Sequence, residues 1–188
     1  TGSLLVINGN GASEFPFLDG GTTLSNHGTV RLSGTSNFYV RGNSVVENRA
    51  LFEVISDADF GGVSFSGGTF VNTGTFRKSG GNAVTQLNIW WRFINQSGGV
   101  IDAASGVLDF AMTNANYTNA QGAIIQGSGT IGVPNAFTNN GTTAPGSGIG
   151  RLSYIGNFLT SSTGVLDIQI GGLVAGTEHD RLNVTGNA

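Results

Sequence analysis

Apolar and polar residues alternate along this chain in short bursts, each closed by Gly, Ser or Asn. Val30-Arg31-Leu32 is followed after Gly34 by Phe38-Tyr39-Val40, and Phe52-Glu53-Val54 by Val63-Ser64-Phe65. Leu87-Asn88-Ile89, Leu108-Asp109-Phe110, Ile131-Gly132-Val133, Leu166-Asp167-Ile168 and Leu182-Asn183-Val184 continue the pattern. Alternation with a period of two over so few residues predicts short, half-buried β-strands. No window of helical length carries an apolar stripe of period 3.6, and the glycine density disfavours helix.

A phrase recurs above this alternation: an apolar residue, then Asn two places on, then often Gly. It reads Leu24-Ser25-Asn26-His27-Gly28, Val46-Glu47-Asn48, Phe70-Val71-Asn72-Thr73-Gly74, Phe93-Ile94-Asn95, Tyr117-Thr118-Asn119 and Phe137-Thr138-Asn139-Asn140-Gly141. A degenerate copy, Phe158-Leu159-Thr160, has Thr for Asn, and successive copies are spaced by 22, 24, 23, 24, 20 and 21 residues. A fixed period in this range marks a repeat architecture. Several short strands per repeat predict one coil of a right-handed parallel β-helix, an all-β solenoid of about eight coils of 20–24 residues spanning 1–188 as a single domain. A sandwich of antiparallel hairpins is the competing fold, but it would not repeat one phrase at every second or third strand.

Stacking coils at about 4.8 Å gives the phrase a physical meaning. The apolar letters, Leu24, Val46, Phe70, Phe93, Tyr117, Phe137 and Phe158, are expected to form one interior column. Asn26, Asn48, Asn72, Asn95, Asn119 and Asn139 are expected to form a ladder whose amides bond to the coils above and below. The glycine that follows is expected to supply a positive φ at the bend. A phrase that explains its own persistence structurally directs the search for function to the variable positions between copies.

Composition narrows the picture. Of 188 residues only 10% are charged, against about a quarter in ordinary domains. The 38% hydrophobic fraction, with 12 Phe, is too apolar and aromatic for a disordered chain. The net charge of −3 and the absence of any basic cluster larger than Arg77-Lys78 give no drive toward nucleic acid. There is no cysteine, so no disulfide framework and no thiolate metal site. No apolar run is long enough to cross a bilayer, so no membrane insertion of this segment is expected.

Candidate chemistry is sparse. His27 sits in a bend where other copies carry Thr73 or Asn140, which reads as a solvent-facing position. Glu178-His179-Asp180-Arg181 has no serine elbow to complete a triad, and Asp180 reads as a turn residue. Asp57 and Asp59 precede Gly61-Gly62 and could share a hard cation, but a full calcium loop needs more ligands, and a polar turn is the favoured reading. Asp102 and Asp109 fall in one coil, and Glu53 and Arg77 are one coil apart; these scattered groups make no carboxylate cluster, so no catalytic residue, metal or cofactor is assigned. Varied coil length and the lack of a strict Thr ladder set aside an ice-binding face. The Asn-x-Ser/Thr triplets are expected by chance in such a composition.

The most unusual local feature is Trp90-Trp91-Arg92, which holds both tryptophans of the chain. On a strand the two rings would point to opposite faces. One exposed ring beside Arg92 would suit a sugar ring; packing of both at a widened corner is the alternative.

Phe70-Val71-Asn72-Thr73-Gly74-Thr75 through Ser79-Gly80-Gly81 resembles the phrase of large exported bacterial repeat proteins. Ala144-Pro145-Gly146, Gly156-Asn157-Phe158, Gly164-Val165-Leu166-Asp167-Ile168-Gln169-Ile170-Gly171-Gly172 and Asp180-Arg181-Leu182-Asn183-Val184-Thr185-Gly186 together resemble a module of autotransporter-passenger-like, filamentous bacterial surface adhesins. The resemblance implies a β-helix on an extracellular or cell-surface protein, non-enzymatic, adhesive or structural. Its implied partners are extracellular glycans, a cell-surface receptor, or further copies stacked end to end. A carbohydrate-binding or polysaccharide-degrading β-helix is the alternative. No capping helix is legible at either end, which leads to the expectation of a segment from a longer repeat protein.

Overall fold

A computed structural model describes residues 2–9, 15–61, 67–87, 92–110, 117–133 and 137–188. Among these residues every regular element is a β-strand. The strands lie in parallel sheets that wrap a common core, with each coil contributing a strand to successive faces. The chain is a parallel β-solenoid of about six turns.

The longest face is an eight-stranded sheet that begins at Leu4–Gly9, continues through Thr29–Gly34, Leu51–Val54, Thr75–Lys78, Val100–Ala103 and Ile124–Gly127, and ends at Thr142–Pro145 and Val165–Leu166. A second face carries the repeat phrase in five strands, Thr23–Asn26, Val45–Asn48, Thr69–Asn72, Arg92–Asn95 and Tyr117–Asn119. The third face is split. Three strands run from Phe17–Leu18 to Phe60–Gly61, five run from Val84–Gln86 to Arg181–Val184, and a parallel bridge from Phe60 to Leu87 joins the two sets. The count of about eight coils expected from the sequence is therefore too high for complete turns. The long face has eight strands, whereas among the described residues the phrase face has five, followed by the parallel Asn139–Thr160 bridge.

Alternation places the core. In Leu51–Val54 and Thr69–Asn72 each second residue is buried, so Phe52, Val54, Phe70 and Asn72 point inward. The apolar column runs through Val46, Phe70, Phe93, Tyr117 and Phe137, all buried, with Leu24 and Phe158 partly buried at its ends. Its aromatic members touch: Phe70 stacks on Phe93 at 4.9 Å, and Tyr117 on Phe137 at 4.6 Å. Phe52, Phe60 and Phe76 pack on Phe70 from the other faces at 5.2–5.6 Å. Burying each such ring contributes about 1.5–3 kcal/mol.

The glycines of the phrase act otherwise than expected. Gly28, Gly74 and Gly141 are absent from the residues with positive φ. A Cβ on Gly74 would lie 2.2 Å from the Ala50 carbonyl oxygen, and one on Gly141 would lie 2.3 Å from that of Ala123. Glycine is required there because the previous coil's backbone passes too close for any side chain.

Candidate functional site

The asparagines form a continuous file inside the solenoid. Asn26 Nδ2 donates to Asn48 Oδ1 at 2.7 Å, Asn48 to Asn72 at 2.7 Å, Asn72 to Asn95 at 2.7 Å, Asn95 to Asn119 at 2.7 Å and Asn119 to Asn139 at 2.6 Å. The same amides reach backbone carbonyls: Asn72 Nδ2 also donates to Gly74 O at 3.1 Å and to Val100 O at 3.0 Å, one coil on. At one end Asn26 Oδ1 accepts from the Gly28 amide, and at the other Asn139 Nδ2 donates to Thr143 Oγ1, which meets the buried Tyr154 hydroxyl at 3.3 Å. All donors therefore point one way, and at Gly74 the side-chain amide adds a second bond to a carbonyl that already accepts from the Val100 backbone amide. Burial raises the pKa of the Tyr154 hydroxyl, and that of Tyr117, well above the ordinary tyrosine value. These groups are held neutral inside a packed column, which is structural chemistry.

A second polar group enters the core at Lys78, which is 0% exposed. It occupies an inward position in register with Val54 and Ala103. Its ammonium donates to Ser56 O at 2.7 Å, Asp57 Oδ1 at 2.8 Å and Gly80 O at 2.9 Å. The hydrogen bond from Lys78 is the main cause that holds the Asp57 carboxyl below the usual carboxylate range. Asp57 also accepts from the Ala83 amide, and Asp59 accepts from that of Gln86. Both aspartates thus tie a corner together, and Asp57 is the one that meets the lysine. Among the described residues no group of three or more His, Cys, Asp and Glu gathers at a metal-binding spacing.

The remaining candidates are also engaged in structure. Asp180 accepts backbone amides from Gly150 and Gln169, both at 2.8 Å, and so pins the last coil. His179 Nδ1 meets Gly172 O at 3.1 Å. His27 is exposed and touches Ser25. On the outside of the long face Arg31, Glu53, Arg77, Asp102 and Gln126 follow one another in register. Arg31 pairs with Glu53 at 3.1 Å and Arg77 with Asp102 at 3.3 Å. Glu53 is lowered, chiefly by the Ser79 hydroxyl, whereas burial raises Asp102 against the pull of Arg77. Arg77 stands between the two carboxylates in that file.

The exterior of the phrase face differs in kind. A shallow groove of about 290 Å³ is lined by Glu47, Arg49, Val71, Thr73 and Gln96. Glu47 and Val71 are register partners, and Ile94 is the next in that row. Arg49, Thr73 and Gln96 follow the asparagines of three successive coils, where their amides bond to Asn26 O, Asn48 O and Asn72 O. Arg49 Nη2 donates to Glu47 Oε2 at 3.1 Å, and the Ser25 hydroxyl reaches the same oxygen at 3.4 Å. Arg92 is exposed at the start of the Arg92–Asn95 strand on this face, in register with Thr69. Trp90 and Trp91 lie outside the described residues.

The groove residues were not singled out in the sequence. They are the outward letters of the phrase itself, so the groove lies within the copies and not between them. The signal was available: with Phe and Asn inward, the letter between them and the letter after Asn must face solvent. Those letters, Glu47, Arg49, Val71, Thr73 and Gln96, are the ones that change from copy to copy.

Compared with protein families, characterised proteins and solved structures, the chain matches none.

Proposed function

We propose that this chain is a non-enzymatic rod segment of a bacterial cell-surface or secreted protein, adhesive or scaffolding in role, that meets extracellular glycans or a cell-surface receptor through its outer faces. The asparagine file carries this reading. Its interior polar groups are bonded to one another and to backbone from coil to coil, which supplies a stiff support and leaves recognition to the exterior. The resemblance to exported adhesin modules supports the location. A glycan array and a cell-binding assay with the folded chain test the reading. Retention on a glycan or cell surface supports adhesion, and a chain that binds neither leaves only scaffolding.

A polysaccharide-degrading role has one observation in its favour: Glu53 and Asp102 lie on one face with carboxyl groups shifted in opposite directions, the pattern expected of a base and an acid. Arg77 occupies the row between them, where a substrate would have to sit. Release of reducing ends from polysaccharides, abolished in Glu53→Gln, would establish the enzyme.

A further inference from the structure

We infer that the groove on the phrase face is a binding subsite for a neutral, extended polysaccharide lying along the solenoid axis. The inference rests on the glycan reading above and adds the place, the ligand class and the direction. Three properties of the groove lead to it. The first is its chemistry. Glu47 and Arg49 form a paired carboxylate and guanidinium, which presents acceptors and donors side by side, the arrangement that two neighbouring sugar hydroxyls satisfy together. Gln96 adds an amide with both donor and acceptor, and Thr73 a hydroxyl. Val71 supplies an apolar floor for the C–H face of a ring.

The second is charge. Within the groove Glu47 and Arg49 cancel, and no other lining residue is ionised. An acidic polymer would gain no net attraction there and would have to compete with Glu47 for Arg49. A neutral one only exchanges water for hydroxyl contacts.

The third is spacing. The lining comes from three successive coils: Glu47 and Arg49, then Val71 and Thr73, then Gln96. Coils repeat at about 4.8 Å, the scale of one sugar ring, so a chain laid along the axis meets a new rung with each ring. A chain laid across the axis would leave the groove after one ring. The row continues past Val71 to the half-buried Ile94.

The test is an array of neutral and acidic polysaccharides probed with the wild-type chain and with Glu47→Gln, Gln96→Ala and Arg92→Ala. Far-ultraviolet circular dichroism checks that each variant is folded. Titration of a ¹⁵N-labelled chain with the best-bound neutral oligosaccharide locates the contact. The expected result is retention of neutral polymers, a loss of about tenfold or more, over 1.4 kcal/mol, in Glu47→Gln and Gln96→Ala, and amide shifts at Val71, Thr73 and Gln96. Neutral binding lost only in Arg92→Ala overturns this site while leaving the glycan reading standing. Selective binding of acidic polymers overturns the ligand class. A blank array overturns both the site and the glycan reading.

Discussion

Removing the carboxylate of Asp57 isolates a buried charge. Lys78 is fully enclosed, and its ammonium has three acceptors, two backbone carbonyls and Asp57 Oδ1. Breaking a buried pair by deleting one partner costs about 3–5 kcal/mol. Two considerations reduce the figure here. The carbonyls of Ser56 and Gly80 remain, and the Asp57 side chain is 38% exposed, so part of its attraction is already screened by water. Asp57→Ala is therefore expected to lower the unfolding free energy by about 2–3 kcal/mol. Lys78→Met retains the stem that fills the core, and Asp57 stays solvated and bonded to the Ala83 amide; the expected loss is about 1 kcal/mol. The double variant should be more stable than Asp57→Ala alone, since no charge is left buried. Urea unfolding of the four proteins closes the cycle. Equal effects of the two single changes, or strict additivity in the double, would refute the argument that Asp57 serves as the counter-charge of Lys78.

The same pair sets an acid dependence. The folded-state Asp57 carboxyl lies below its ordinary value, so its contribution is present above the unfolded pKa and is lost as pH falls through the folded one. A urea series across the carboxylate range should show a shallower acid loss in Lys78→Met. Asp102 has the opposite sign, since burial raises its carboxyl. Asp102→Asn should leave the melting temperature at neutral pH unchanged or higher, by calorimetry. Asn72→Ala removes the donor to Asn95, Gly74 O and Val100 O and should cost roughly 3–4 kcal/mol at about 1 kcal/mol per bond. Gly74→Ala drives a methyl into the Ala50 backbone and should cost about 1–3 kcal/mol, read from the same urea curves.

The repeat phrase made the fold legible because it encodes register twice. Phe70 and Asn72 alternate with Val71, which sets the inward face, and the copies at Val46-Glu47-Asn48 and Phe93-Ile94-Asn95 set the partners that are found in the sheet. What stayed hidden follows from longer-range geometry. Lys78 ends the strand Thr75–Lys78 at an inward position, yet a lysine there reads as exposed until the carbonyls of Ser56 and Gly80 are seen around it. Gly74 reads as a turn residue because its real constraint, the Ala50 backbone, belongs to the previous coil. The groove escaped for a similar reason. Glu47, Thr73 and Gln96 are up to two copies apart in sequence and become neighbours only when the coils stack.

The most direct measurement of the central claim, that the asparagines bind the coils into one rod, is exchange of their side-chain amide protons by NMR. If the file exists, the Nδ2 protons of Asn48, Asn72, Asn95 and Asn119 exchange only on global unfolding, as slowly as the backbone amides of Phe70 and Phe93. Exchange as fast as that of Asn183, which lies in the edge strand Arg181–Val184 and is only half-buried, would contradict it.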